Sequence, residues 1–365
     1  MKTKQIVIDA RFWGPSHTGL GRYTKSLVTA LKSLKVRNLE FTLLVNKKTK
    51  TNFKTILVKA KPYSVSEQFE ISQVLTKANP DLVHFLHFNV PLLYKKPFVV
   101  TIHDLIKHHS SGLSTTTKSI FTYPIKRLGY FTTVKHAVIN SKAIIAPSNW
   151  VKNDILNHYK INPKKITTIY EAADSQHFKY SKSDLIPPDY PYLIYIGNAY
   201  PHKNLPVLIK AVSQTNLKLL IVTGRDIFYH RLRDQIRKQK AQNFIKIKGF
   251  TSDQDLKVLL KHSLAFITTS LLEGFGLPGL EAMASETLVL ASKRASMPEV
   301  YGQHAIFFNP ETEKDIIKKI NYVTKLKSST RAQLIKKAKT HAATYSWEKT
   351  ARKTIKIYEN CLSLR

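Results

Sequence analysis

Two glutamates and three glycines in EGFGLPGLEAMA, Glu273 to Ala284, carry the densest chemistry in this 365-residue chain. The run Leu264 to Thr269 before it is apolar and β-branched, the pattern of a buried strand. Gly274, Gly276 and Gly279 follow as a loop. Leu280 to Ala284 reads as the first turns of a helix, with Pro278 near the start, where a missing N–H breaks no bond. Strand, glycine loop and helix N-terminus together make an anion site, because N–H groups and the positive end of the helix dipole point at the ligand. Carboxylates on either side of a phosphate site accept hydrogen bonds from hydroxyls, which suits a sugar nucleotide. A glycosidase pair of acid and nucleophile fits less well. Glu273 precedes the loop and Glu281 lies inside the helix, so both address one ligand and not opposite faces of one bond.

Other residues fall at places where α/β sheets bind ligands. VVTIHDL sets His103 and Asp104 at the carboxyl end of an expected strand, Phe98 to His103, where such sheets hold their substrates. RFWGPSHTGLGRY (Arg11 to Tyr23) is expected as a loop between a first strand, Gln5 to Ala10, and a helix, Thr24 to Leu34. Its Gly14, Gly19 and Gly21 permit a sharp turn and close approach of backbone to ligand. Ser252 to Asp255, S-D-Q-D, offers a D-x-D metal reading. The spacing of Ser252 and Asp255 before the helical run Leu256 to Lys261 favours an N-cap with an acidic third residue, and no metal is expected.

The elements that must position these residues alternate in type. Further strand-like runs are Leu39 to Val45, Leu82 to His87, Ala143 to Ser148 and Ile166 to Asp174. A second series has Tyr192 to Asn198, Leu217 to Gly224, Phe244 to Phe250, Leu288 to Ser292 and Ala305 to Phe308. Helical or mixed segments between them predict parallel α/β sheets. The polar, proline-bearing stretch Tyr180 to Pro191 is the best linker candidate. It sets expected boundaries of 1–183 and 184–345 for two domains, with a terminal helix over 346–365. Between Thr117 and Val138, Pro124 and Gly129 are expected to interrupt a continuous helix. That segment reads equally as a lipid-touching surface or as helices packed on a core.

Composition bounds the compartment and the partners. Hydrophobic content of 43% and charged content of 22% are ordinary for a globular chain long enough for two cores. The net charge of +34 is not ordinary. It draws anionic partners, whether nucleic acid, lipid headgroups or phosphorylated substrates; a lysine-rich composition bias is the other reading. One cysteine, Cys361, excludes an internal disulfide and fits a reducing compartment. MKTKQIVIDA is too short in apolar residues for a secretory signal, and no run of about 18 apolar residues occurs to span a membrane. A cytoplasmic protein is expected, with a peripheral place on the inner face of the plasma membrane as the added expectation from charge.

The string E-G-F-G-L-P-G-L-E-A-M-A resembles the E-x7-E signature of the retaining GT-B glycosyltransferases of family 4, also called group 1, and further matches fall in order along nearly the whole chain. The resemblance implies two Rossmann-like domains facing across a cleft, with acceptor on the first, donor on the second and the C-terminal helix crossing back to the first. It implies that Gly19 and Gly21 cover the donor diphosphate, that His103 with its neighbour Asp104 faces the reacting sugar, and that Lys203, in G-N-A-Y-P-H-K-N, is the cation on the diphosphate. Many members carry Arg directly after that glycine. Here Asn198 stands there and offers only hydrogen bonds. Gly249 and Phe250 match where the family approaches the base. Glu281 is implied to bind ribose, and Glu273, with the N–H groups of Phe275, Gly276 and Leu277, to lie by the transferred sugar. Ser296 and Glu299 fall near the expected phosphate, and Glu286 replaces the family's usual small residue.

The function implied is hexose transfer, mannose or glucose, from a GDP- or UDP-linked donor to a saccharide or a membrane-held lipid acceptor. It is expected to be metal-independent and to need no cofactor. A sugar-nucleotide epimerase on the same fold stays open, as does a basic nucleic-acid-binding protein, although no recognised nucleic-acid motif occurs. A phosphorylase would need a pyridoxal lysine, which is not identifiable.

Overall fold

The structure is a computed structural model and describes residues 3–14, 17–34, 36–47, 51–110, 123–173, 183–224 and 227–363. The chain divides into two compact units. Met1–Leu105, Lys118–Glu171 and Trp347–Arg365 make unit 1; Ile106–Thr117 and Ala172–Ser346 make unit 2. The division falls between Glu171 and Ala172, ahead of the expected break after residue 183. Of the expected linker, 180–182 lie outside the described residues, and 183–191 carry no helix or strand.

Unit 1 is built on seven strands: β1 (Lys4–Asp9), β2 (Leu39–Val45), β3 (Lys54–Leu57), β4 (Leu82–Phe85), β5 (Phe98–Thr101), β6 (Ala143–Ala146) and β7 (Ile166–Thr168). They pair in parallel in the order β3-β2-β1-β4-β5-β6-β7. Its helices are α1 (Thr18–Ser33), α2 (Val65–Ala78), α4 (Tyr123–Asn140), α5 (Asn149–His158) and α13 (Trp347–Ser363). Along β1, Ile6 and Ile8 enter one core and Val7 the other, so both faces of the sheet are covered. That is why the strands read as continuous apolar runs and not as an alternation. β3 escapes a sequence reading because Lys54-Thr55-Ile56-Leu57 is an edge strand, largely exposed.

Unit 2 is built on β8 (Tyr192–Ile196), β9 (Lys218–Val222), β10 (Ile245–Lys248), β11 (Ala265–Thr268), β12 (Val289–Ser292) and β13 (Ile306–Phe308). They pair in parallel in the order β10-β9-β8-β11-β12-β13, the 3-2-1-4-5-6 order of a doubly wound dinucleotide-type sheet. The strand order reverses between β8 and β11, and a ligand crevice is expected outside their carboxyl ends. Its helices are the short α3 (Ile106–His109), α6 (Leu205–Val212), α7 (Ile227–Lys238), α8 (Asp253–His262), α9 (Leu277–Ala284), α10 (Met297–Tyr301), α11 (Glu313–Thr324) and α12 (Ser328–Ala342).

Two helices differ from expectation. α1 begins at Thr18, not Thr24, so Gly19 and Gly21 lie in its first turn and not in a loop. The expected sharp turn is made at Gly14, at φ +105°. Gly21 has a packing reason to be glycine: a Cβ there would stand 1.9 Å from the Gly14 carbonyl oxygen. α4 runs unbroken through Pro124 and Gly129. Pro124 falls in the first turn, where its ring and missing N–H are tolerated. The core-packing reading holds for Tyr130, Val134, Ala137 and Val138, which are buried, whereas Ile125 and Leu128 are exposed. Residues 117–122 of the same segment lie outside those described.

α13 completes the core of unit 1. Its Ala351, Ile355, Tyr358 and Cys361 join Leu27 and Leu31 of α1 against the sheet. The Tyr358 hydroxyl reaches His84 Nδ1 of β4 at 2.6 Å. In unit 2 Ser252 caps α8, its side chain accepting from the Asp255 N–H at 3.2 Å, while the Asp255 carboxylate accepts from Ser183 at 2.6 Å. That pair is structural.

Candidate active site

The pocket of unit 2 is assembled by two loops tied to each other. After β8 the chain turns through a single 3-10 turn, Pro201–Lys203, to Asn204 in a left-handed conformation. After β11 it runs through Thr269 to Gly276. Thr269 Oγ1 donates to the Lys203 and Asn204 carbonyls at 2.9 and 3.2 Å, and the Leu271 N–H to the His202 carbonyl at 2.8 Å. These bonds bring Lys203 Nζ to 2.5 Å from Glu273 Oε2, both side chains mostly buried. Tyr195, Lys203, Thr268, Glu273, Gly276 and Tyr301 line the resulting pocket, at the carboxyl ends of β8 and β11.

The glycine loop is shaped from outside by α10. Gly276 sits at φ +88° as the N-cap of α9, and the Tyr301 hydroxyl donates to its carbonyl at 2.5 Å. A Cβ on Gly279 would lie 2.3 Å from the same hydroxyl. Burial first, then the charges of Glu273 and Glu281, push the Tyr301 phenol well above its usual range, so it stays a donor. Ser296, expected near a phosphate, is fully buried and donates to the Glu273 carbonyl at 2.9 Å. Glu299 is half-buried in α10. Tyr301 was not among the sequence candidates; the short spacing between the glycine loop and the S-M-P-E-V-Y-G run is the only hint of it.

Not every expected residue enters the pocket. Phe275 and Leu277 are buried beside it, and Glu281, 6% exposed, lies a turn into α9. Asn198 follows β8; its carbonyl accepts from Tyr195 at 2.7 Å, and its side-chain Oδ1 is buried with no hydrogen-bond partner among the described residues. Gly249 and Phe250 follow β10, two strands from β8 in the sheet order, and the Phe250 ring is 80% exposed.

In unit 1 the carboxyl end of β5 carries His103. Its Nε2 is 3.0 Å from the Leu86 carbonyl and its Nδ1 3.1 Å from Glu171 Oε1. The Tyr23 ring packs edge-on at 4.5 Å. Burial pulls the His103 pKa down, but the hydrogen bond and charge of Glu171, the Leu86 carbonyl and nearby Asp104 outweigh it, and the net shift is upward. Glu171 is 6% exposed, and in the sequence it is only one residue of the strand-like run Ile166 to Asp174. Asp104 is half-buried beside His103.

Beside this, at the carboxyl end of β1, Asp9 holds Arg11 through two hydrogen bonds at 2.8 and 2.7 Å. Arg11 also pairs with Glu67, which accepts from Asn89 at 2.6 Å and from the Tyr63 N–H at 2.7 Å. All four polar side chains are buried. This is where the loop from β1 is anchored, and nothing in the sequence alone singled it out.

Two parallel dinucleotide-type sheets with a cation–carboxylate pocket at the switch point of the second define a GT-B fold. Sucrose-phosphate synthase from Thermosynechococcus elongatus matches over 100% of both chains with a TM-score of 0.80 at 17% identity. Anabaena HepE, solved with UDP and glucose, matches over 98% of this chain and 99% of its own with a TM-score of 0.72 at 15% identity. Residues 17–177 match Glycosyltransferase Family 4, and residues 176–341 match Glycosyl transferases group 1. The chain belongs to this group of glycosyltransferases. Among curated relatives, the O-antigen chain mannosyltransferase RfbU of Salmonella typhimurium is 27% identical over 85% of this chain and 88% of its own. O-antigen chain mannosyltransferase B of Escherichia coli is 27% identical over 72% of this chain and 70% of its own.

Proposed function

We propose that this glycosyltransferase moves a hexose, with mannose the leading choice, from a nucleoside diphosphate sugar to a saccharide hydroxyl with retention at the anomeric carbon. The observation that carries the reading is the pocket holding Lys203, Glu273 and Gly276 at the switch point of the unit 2 sheet. Mannose is favoured because two O-antigen mannosyltransferases are similar to this chain over most of its length.

The proposed route is a front-face substitution. The bond from the anomeric carbon to the β-phosphate oxygen breaks, and a bond to the acceptor oxygen forms on the same face. The acceptor's proton passes to the departing phosphate oxygen. Charge growing on the diphosphate meets Lys203 and the N-terminus of α9, which acts as about half a unit of positive charge. Fixed donors of this kind each matter by about a hundred- to thousandfold in rate. They supply the stabilisation without a metal. Glu273 orients the transferred sugar, Glu281 the ribose, and His103 the reacting centre.

The acceptor is proposed to be membrane-held. Support comes from the net charge of +34 and from α4, which exposes Ile125 and Leu128 beside Lys126 and Arg127. Each basic residue near an anionic leaflet contributes about 1 kcal/mol. Among the described residues no helix is long and apolar enough to cross a membrane. Flotation with anionic and with neutral liposomes checks this; equal recovery with both counts against it.

The test of the main reading is thermal stabilisation by GDP, UDP, ADP and CDP at about 1 mM, on wild type and Glu281→Ala. Ligand at a hundred times its dissociation constant stabilises by about 2.7 kcal/mol. One nucleotide standing out, with the response lost in the variant, supports a donor site in unit 2. No response from wild type to any of them overturns it.

A further inference from the structure

His103 stands in a setting that fixes its protonation by geometry. The Leu86 carbonyl at Nε2 accepts only, so Nε2 carries a proton. At Nδ1 the partner is the Glu171 carboxylate, which as an anion also accepts only. Two acceptors on two ring nitrogens require two N–H donors. A neutral imidazole has one. The charged groups facing the ring agree. Glu171 arrives from the loop after β7 and Asp104 from the loop after β5, both anionic. From β4, His84 is buried and bonded to Thr101 and Tyr358, and is held neutral. Tyr23 of α1 packs its uncharged ring against the imidazole at 4.5 Å and 83°.

We propose that Glu171 is the positioning residue of the unit 1 site: it fixes the His103 ring and keeps it doubly protonated, so that His103 meets the substrate as a fixed positive charge and not as a proton acceptor. This rests on the reading of His103 as a group at the reacting centre. It deepens that reading, because a doubly protonated His103 has no free nitrogen to accept the acceptor's proton, which agrees with its passing to the departing phosphate. The upward shift of the His103 pKa has the same direction. Glu171 is bound to the role by position: it is 68 residues away in sequence, nearly buried, and its carboxylate is aimed at the ring nitrogen.

The test uses the full chain labelled with 15N-histidine, with the His103 ring signals assigned by loss in His103→Gln. In wild type the ring should be doubly protonated at pH 7. In Glu171→Gln the amide can donate to Nδ1, which keeps the geometry and removes the charge, so the ring should titrate at least about one pH unit lower, a tenfold change in the proton equilibrium. Glu171→Asp should restore most of the difference. The alkaline limb of transfer, measured with GDP-mannose and UDP-glucose, should move down with the ring, giving about a tenfold loss at pH 8 in Glu171→Gln. GDP and UDP binding should not change. A singly protonated ring in wild type at pH 7, a Glu171→Gln ring that titrates like wild type, or an unmoved activity limb overturns the proposal. If Glu171→Gln does not fold, the wild-type ring and Glu171→Asp still decide it. Failure of every nucleotide to bind wild type instead counts against the donor site, and leaves the ring titration to be judged by itself.

Discussion

Lys203 Nζ lies 2.5 Å from Glu273 Oε2, so the lysine expected to meet the donor diphosphate is already paired with the carboxylate expected to meet the sugar. Each charge therefore restrains the other before any ligand arrives. Coulomb attraction at this separation in a half-buried site is several kcal/mol, and an incoming diphosphate must compete for Lys203 against Glu273.

Glu273→Gln should then bind nucleoside diphosphate about three- to tenfold more tightly than wild type, because Lys203 is released. The same change should lower the transfer rate by at least about a hundredfold, as for loss of one pre-aimed polar group. Lys203→Ala should weaken binding by more than about tenfold, since it leaves Glu273 facing the phosphates. Calorimetric titration with GDP and UDP separates the two. Equal weakening by both substitutions would mean that Glu273 does not compete for the lysine.

Glu286 was the substitution without an account in the sequence, and the backbone supplies one. It stands at φ +61°, the left-handed position just past α9. The Thr287 N–H reaches the Ala282 carbonyl at 3.0 Å and the Glu286 N–H the Met283 carbonyl at 3.2 Å, the paired bonds of a Schellman ending. That position prefers glycine because a Cβ in left-handed backbone costs roughly 1–2 kcal/mol. Here Lys339 Nζ holds the Glu286 carboxylate at 2.5 Å on the surface, a pair worth about 0–1 kcal/mol. Thermal stability should rank Glu286→Gly above wild type and wild type above Glu286→Ala, all within about 2 kcal/mol. An alanine variant as stable as the glycine one would remove the backbone argument.

These cases show what the sequence carries and what it withholds. Both sheets were legible because strands buried on two faces, such as Val289–Ser292, read as short continuous apolar runs. The glycine loop was legible because Gly276, Pro278 and two glutamates concentrate in twelve residues of sequence. The start of α1 was misplaced because Gly19 and Gly21 read as loop residues, whereas Gly21 is small to admit the Gly14 carbonyl. Glu171 and Tyr301 were missed for a different reason. Each acts on a residue 68 or 25 positions away, and only the packing of the sheet brings them together.

Tyr301 predicts a coupled pair of substitutions. Tyr301→Phe leaves the Gly276 carbonyl without its buried donor and should cost about 1–2 kcal/mol, with weaker nucleotide binding as the loop relaxes. Gly279→Ala should be worse, because its Cβ would stand 2.3 Å from the Tyr301 hydroxyl oxygen and 2.4 Å from its ring carbon. Removing the ring as well, in Gly279→Ala/Tyr301→Ala, should recover part of the loss, so the two changes combine to less than their sum. Strict additivity in thermal shifts would show that the two side chains do not meet.

His84 makes the stability of unit 1 sensitive to acid. It is fully buried, with Tyr358 at 2.6 Å on one nitrogen and Thr101 at 2.9 Å on the other. Burial, with the nearby charge of His103, pushes its pKa down to about 3. An unfolded histidine takes a proton near pH 6.5, so between about pH 6.5 and 3 the unfolded chain binds one proton more at this site. Stability contributed by His84 is therefore complete above pH 6.5 and is lost as pH falls, by up to about 1.4 kcal/mol per pH unit. His103 has the opposite sign: its raised pKa stabilises below pH 6.5 and is lost as pH rises through the folded value. It does not add to the acid-side loss. His202, also pushed to about 3 by burial and Lys203, lies in unit 2 and must be separated from His84. The chain's three tryptophans, Trp13, Trp150 and Trp347, all fall in unit 1, so their fluorescence reports that unit. Denaturant midpoints followed by this signal should drop from pH 6.5 to 4.5 in wild type and drop less in His84→Gln, whose side chain cannot take up a proton when released. An identical decline in both would assign the acid sensitivity of unit 1 to other groups.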